Sequence, residues 1–172
     1  MNAAPPAETV ATNKRRQVVS LRRFGGTDGF ELLDDAMPTA GPGEVRIRVL
    51  AASVQFTDLV TRKGKYPDLK QKPPLVLGYD VVGEIDALGP GVTGPERGDR
   101  VADLTVTGSY ARYRIVRADR LVRLPPWVDS AQVATLVLSW VTAYQLLHRH
   151  AQIKRGQRVL ITARRAPSVR RC

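Results

Sequence analysis

Nucleophiles and metal ligands are scarce in this chain. It has one cysteine, Cys172, at its last position, and two histidines, His148 and His150. Thiolates and imidazoles are the usual zinc ligands, so the ligand count alone argues against a metal centre. The two histidines stand at i and i+2 near the end of an apolar periodic segment. Side chains at that spacing on a helix do not face one another. The single cysteine also excludes a disulfide frame. It fits a reducing compartment, so the cytoplasm is the expected location.

Positive charge is the other obvious chemical feature. Lys and Arg number 27 against 16 Asp and Glu, for a net charge of +11. Arg164, Arg165, Arg170 and Arg171 fall in the last ten residues, and Lys14, Arg15 and Arg16 end a polar leader. A nucleic-acid surface would interleave such cations with aromatic residues on one face. Here the aromatics are few and lie within apolar patterns, so specific nucleic-acid binding is not expected and the cations read as solvated surface. No apolar run approaches the ~20 residues of a membrane span, and no signal peptide is visible at the start.

The elements that must position any site follow from periodicity. Residues 1–16, "MNAAPPAETVATNKRR", lack period and read as a disordered leader. From Gln17 the texture becomes a succession of short strands with turn signals every ten or so residues as far as Pro126. "QVVSLRRFG" opens it, and "FELLDD" follows the turn cluster "GGTDG". "EVRIRVL" alternates Val45, Ile47 and Val49 with Glu44, Arg46 and Arg48, the period of a half-buried strand. "PLVLGYDVVGEIDALG" reads as one long apolar strand, and "GDRVADL", "GSYARYRIV" and "ADRLVRLP" as three more. That rhythm predicts a β barrel or sandwich.

The period then changes. Asp129 or Ser130 can cap a helix. Val133, Leu136, Val137, Trp140, Val141, Tyr144 and Leu147 recur at helical spacing as one apolar stripe. "IKRGQ" is a turn, and "QRVLIT" reads as the first strand of an α/β unit.

Landmarks in this order resemble the zinc-independent quinone oxidoreductase branch of the medium-chain dehydrogenase/reductase superfamily. They are "FGGTDGFEL", "GPGEVRIRVLAASVQFTD", "RKGKYP", "GYDVVGEIDALGPGVTG", "GDRVA", "GSYARY", "WVTAY" and "RGQRVLI", spread from Gln17 to Thr162. The resemblance implies a mainly β fold: a GroES-like β barrel over 17–126, a linking helix over 127–151, and only the first strand of a Rossmann domain within 152–172. The family continues "RVLI" into a Gly-rich turn whose backbone approaches a pyrophosphate. This chain has Ala163, Arg164, Arg165, Ala166 and Pro167 there. Bulky cations and a proline cannot reproduce that turn. A frameshift is the expected explanation, since one base inserted after the Thr162 codon, with suitable wobble bases, restores the reading TGASGAVGAAV. A divergent basic tail is the alternative.

The resemblance also carries site residues. Gln55 aligns with the first zinc-binding Cys of the zinc-dependent relatives, Tyr79 with their His, and Leu138 with a later Cys, which implies zinc-free chemistry. Zinc-free relatives reduce quinones or enones with NADPH, and without a Lewis acid the carbonyl must be polarised by hydrogen-bond donors. Gln55 stands where those relatives place an Asn near the nicotinamide, and is the candidate donor; its bland reading is a barrel-rim residue. Asp58, in the "FTD" turn, is expected to orient Gln55 or to close an Asx turn. Tyr79 can donate to a substrate oxygen or be a buried structural residue. Tyr66 resembles a substrate-lining Tyr, or packs over the barrel as a loop aromatic. Thr142, in "WVTAY", resembles a cofactor-contacting Thr, or is simply a helical residue facing solvent. Asp80 replaces a usual Glu.

The implied activity is hydride transfer from NADPH to a small quinone or enone. The chain as given is expected to be an inactive N-terminal fragment, because its cofactor-binding domain is missing. The alternative is a non-enzymatic GroES-like binding module. The family commonly forms homodimers through the missing half.

Overall fold

The computed structural model describes residues 15–67 and 69–160. Eight strands and two α-helices follow in the order β1 (Arg15–Leu21), β2 (Phe30–Ala36), β3 (Glu44–Ala51), α1 (Phe56–Arg62), β4 (Leu75–Val76), β5 (Asp80–Leu88), β6 (Arg100–Leu104), β7 (Tyr113–Arg117), β8 (Val122–Arg123) and α2 (Ser130–Tyr144), which runs on as a π-helical turn over Gln145–His150. They form two antiparallel sheets, β2-β1-β4 and β7-β3-β5-β6-β8. The segment before β7 stitches the sheets together: Val19 N–H donates to the Tyr110 carbonyl at 2.8 Å, and Arg112 N–H donates to the Gln17 carbonyl at 2.8 Å. The fold is mainly β, as the strand rhythm predicts.

The period-2 reading of β3 places the core. Val45 and Ile47 are fully buried and meet Val81, Ile85, Val101 and Val116. A smaller core joins Leu21, Leu75 and Leu77. On the other face of β5, Val82 packs with Ala102 against Ala134 of α2. Asp129 supplies the α2 cap, its Oδ1 accepting the Gln132 N–H at 2.8 Å, as expected of a short carboxylate before the first turn. Among the described residues no helix is long and apolar enough to cross a membrane.

Four expectations are corrected. The long strand from Pro74 is broken into β4 and β5 at Gly78, whose φ is +105°. A Cβ there would lie 2.8 Å from the Ser109 Cβ, so only glycine fits. The "FTD" turn is the first turn of α1. The leader boundary moves, because Arg15 and Arg16 already pair with β2, and Arg16 donates to the Asp35 carboxylate at 2.8 Å. Finally, residues 157–160 form no strand. A strand needs a hydrogen-bonded neighbour, and none lies beside them among the described residues. The rest of the leader (1–14), the last two residues of that expected strand and the basic tail, with its frameshift reading, lie outside the described residues.

Candidate functional site

The break at Gly78 is also what builds the site. It delivers Tyr79 and Asp80 together to the start of β5, beside the segment that leaves β3 for α1. Asp80 is fully buried. Its Oδ1 accepts the Ser53 N–H at 2.8 Å, and its Oδ2 accepts a hydrogen bond from the Ser53 hydroxyl. Gln55 adds to the cluster. Its Nε2 lies 2.6 Å from Ser53 Oγ and 3.4 Å from Asp80 Oδ2. Burial raises the Asp80 pKa, and the hydrogen bonds from Ser53 and Gln55 pull it part of the way back.

Asp58 holds this arrangement from behind. Its Oδ2 accepts the Gln55 N–H at 2.8 Å, and its Oδ1 accepts the Gly78 N–H at 3.2 Å. One carboxylate therefore caps α1 and ties it to the joint between β4 and β5. Burial raises its pKa despite these bonds. Asp58 thus orients Gln55 through the main chain, by a helix cap rather than an Asx turn. Tyr110 lies alongside, its hydroxyl donating to the Ser53 carbonyl at 3.1 Å. Burial and the neighbouring Asp58 charge push the Tyr110 phenol well above its usual range.

Tyr66 and Tyr79 meet edge to face, with ring centroids 5.8 Å apart at 77°, and their hydroxyls are hydrogen-bonded. Both rings are half-buried. Thr142 stands apart from these groups. It is exposed on α2, where it lines a hollow of about 240 Å³ with Leu104, Val141 and Leu146. Its link to the cluster runs through the sheet, since Leu104 is the β6 partner of Asp80.

Gln55 and Asp58 thus come together beside Asp80, Tyr79 next to Asp80 in the chain pairs with Tyr66, and Thr142 stands apart on α2. Ser53 and Tyr110 were not anticipated. Ser53 could have been found, because residues 53 and 55 of an extended segment share a face. Asp80 also carries a signal: a carboxylate inside the apolar run "LVLGYDVV" must be buried with partners.

The donors gathered here are an amide, a serine hydroxyl, phenols and carboxylates already engaged by N–H and O–H groups. That is a poor zinc set. Among the described residues no group of three or more His, Cys, Asp or Glu side chains is placed to hold a metal ion. For a dinucleotide, these residues offer at most contacts to one end, and no Gly-rich cradle for a pyrophosphate is among them.

Two linked antiparallel sheets, with a short helix capped over a buried acid at the strand joint, define a GroES-like domain of the dehydrogenase type. Residues 41–126 match the alcohol dehydrogenase GroES-like domain, and the chain belongs to that family, within the medium-chain dehydrogenase/reductase superfamily. A 2-haloacrylate reductase of a Burkholderia species is 35% identical over 147 residues, which cover 83% of this chain and 44% of that protein. The crystal structure of the human synaptic vesicle membrane protein VAT-1 homolog-like superposes with a TM-score of 0.79 at 33% identity, covering 83% of this chain and 46% of that one. The mycobacterial protein Rv1454c, solved in complex with NADPH, superposes with a TM-score of 0.74 at 33% identity, covering 81% and 43%. The chain thus spans less than half the length of these relatives.

Proposed function

We propose that this chain forms the substrate-side half of an NADPH-dependent reductase of quinones or enones that works without zinc. The observation that carries the reading is the hydrogen-bonded Tyr66–Tyr79 pair, whose Tyr79 precedes the buried Asp80 and, by the family resemblance, stands where zinc-dependent relatives place a metal ligand. The kinship with a reductase of 2-haloacrylate, an alkene conjugated to a carboxylate, supports an electron-poor double bond as substrate. The NADPH complex of a relative supports the cofactor.

Reduction of such a substrate places negative charge on its oxygen, and catalysis lies in meeting that charge with oriented donors. NADPH supplies the hydride when bound. Tyr79 donates to the Tyr66 oxygen. That bond polarises the Tyr66 hydroxyl, whose own proton then points to the substrate oxygen. Asp58 and Asp80 hold the loop and strand start that carry these groups. Thr142 and Gln55 are assigned to the nicotinamide side.

The test uses a protein in which this chain continues into a dinucleotide-binding domain. NADPH oxidation is followed with a quinone and with an enone. Tyr66→Phe is expected to lower kcat by about 10²-fold with little change in KM, the usual cost of one oxyanion donor. An unchanged kcat would overturn the donor assignment. Activity lost on chelation would overturn the zinc-free reading.

A further inference from the structure

We propose that the hollow bordered by Arg16 and Arg114, at the seam of the two sheets, is a binding site for a small oxyanion, a carboxylate or a phosphate. The hollow is separate from the Tyr66–Tyr79 pair, and the inference does not rest on the reductase reading.

Period 2 places Arg114 on the same face of β7 as the buried Val116. Its partner across β3 is Ile47, which is fully buried. An arginine on a core-facing position needs compensation for its charge. The guanidinium of Arg114 finds two hydroxyls instead, donating to Ser109 Oγ at 2.9 Å and to Thr105 Oγ1 at 2.5 Å. Both acceptors are neutral. Among the described residues no carboxylate comes within ion-pair distance of Arg114. Asp103 attracts it from farther away, and Arg120 shares that acid, with its Nε 3.7 Å from Asp103 Oδ1.

Arg16 borders the same hollow, which encloses about 260 Å³. Its own bonds go to the Asp35 carboxylate, at 2.8 Å, and to the Tyr113 carbonyl, at 2.6 Å. Three arginines therefore gather where two carboxylates serve Arg16 and Arg120, and the charge of Arg114 is the one in excess. Its pKa shows the strain of that arrangement. Burial holds it down at about 10; the Asp103 charge opposes the shift, and repulsion from Arg120 and Arg16 adds to it. An anion in the hollow supplies the missing counter-charge and relieves the repulsion between Arg16 and Arg114. Guanidinium groups suit an oxyanion in shape as well, since their planar N–H forks match its oxygens. Size sets the rest of the specificity. A water takes up about 30 Å³ in the liquid, so the hollow admits an ion of a few heavy atoms and excludes a dinucleotide.

The experiment titrates the isotopically labelled 172-residue chain with sodium phosphate and, separately, with sodium acetate. Sodium chloride keeps the ionic strength constant. The main-chain amide signals of Gly108, Ala111 and Ile115, which line the hollow, are expected to shift saturably with at least one of the two anions. Saturation by phosphate alone identifies a phosphate ligand, by acetate alone a carboxylate, and by both a site for either; each outcome supports the proposal. Arg114→Lys keeps the positive charge and loses the fork, so it should weaken binding about tenfold or more. Arg16→Gln should weaken it similarly, while Arg22→Gln, which removes a cation outside the hollow, should leave it unchanged. Should the Arg114 and Arg16 variants fail to fold, the unmodified chain still decides. Shifts that grow linearly with concentration, or that are as large around the exposed Arg22 as around the hollow, would be the general attraction of anions to a chain of net charge +11 and would overturn the proposal. Saturable binding of equal strength in Arg16→Gln would overturn it too.

Discussion

Val81, Val82 and Ile85 on β5 are 0–1% exposed, whereas Leu136 and Trp140 on α2 are 46% and 65% exposed. Both segments are rich in large apolar side chains, so composition does not separate them. Their neighbours do. β5 lies between β3 and β6, and its side chains alternate between two covered faces. One face meets Val45, Ile47, Val101 and Val116, and the other meets Ala102 and Ala134. Helix α2 sets one narrow line on the sheet, with Ala134 at its centre and Val133 and Val137 beside it. The rest of its stripe, with Leu104 and Val122 of the sheet, forms the wall of an open apolar hollow of about 520 Å³. A strand in the middle of a sheet has both faces covered within its own domain, while a helix on the outside keeps a face for something else.

The sharpest test of this contrast is to remove the same apolar volume from each region. Ile85→Ala, in the β5 core, should cost about 2–5 kcal/mol, since a close-packed site cannot collapse fully around the cavity. Leu136→Ala should cost well under ~1 kcal/mol, because the leucine already faces solvent over much of its surface. Urea unfolding of the two variants decides the point. Similar losses would mean that the outer face of α2 is covered in solution.

The same contrast shows how far the sequence could be read. The alternation of Val45 and Ile47 with charged residues located β3 and its buried face, because period 2 is a local property of the strand. The stripe of α2 was equally legible, but which part of it would find a partner was not. That depends on helix-to-sheet placement, which selects Ala134 rather than the bulky Trp140 for the contact. Helix α1 was missed because seven residues are too few to show a period. What reveals it is a cap, the Asp58 carboxylate on the Gln55 N–H. The break at Gly78 depends on Ser109 and Tyr110, about thirty positions away, which crowd its Cα. The pairing of Tyr66 with Tyr79 spans a loop and follows from that break. Residue types at the site were therefore readable, and their partners were not.

A second test probes the carboxylates that join the sheet to α1. Asp58→Ala leaves the Gly78 and Gln55 N–H groups without their acceptor, and a buried polar group so stranded costs about 1–3 kcal/mol. The effect should therefore approach that of a core cavity although no apolar area is lost. The pH dependence gives an independent check. Burial raises the pKa values of Asp58, Asp80 and Asp103 above the ordinary 3.8. Between that value and the raised one, the folded state holds more protons than the unfolded state, so stability falls as pH rises through this window. Asp35 and Asp119 shift the other way, through their hydrogen bonds to Arg16 and Arg117, and act only below the ordinary value. Denaturant midpoints measured from about pH 4 upward should therefore decline, and Asp80→Asn should flatten the decline. A midpoint that climbs steadily over that range would show these acids to be better solvated than their burial indicates.

The smallest change in stability is expected on the outer face of α2. Replacing Leu136 and Trp140 together by lysine removes two large apolar groups that water already reaches. Lysine also suits a helix interior about as well as leucine does. Surface substitutions of this kind usually stay within about ±0.5 kcal/mol. Self-association should change far more. Leu136 and Trp140 sit beside the exposed Tyr144 and Leu146, and an apolar patch of that kind promotes contact between molecules. The unmodified 172-residue chain is expected to elute from a size-exclusion column earlier as its concentration rises. The double-lysine variant is expected to elute as a monomer with an unchanged melting temperature. A variant that melts well below the parent would place these two side chains inside the fold and remove the contrast with β5. An unmodified chain that stays monomeric at every concentration would show that the exposed stripe is compatible with solution as it stands.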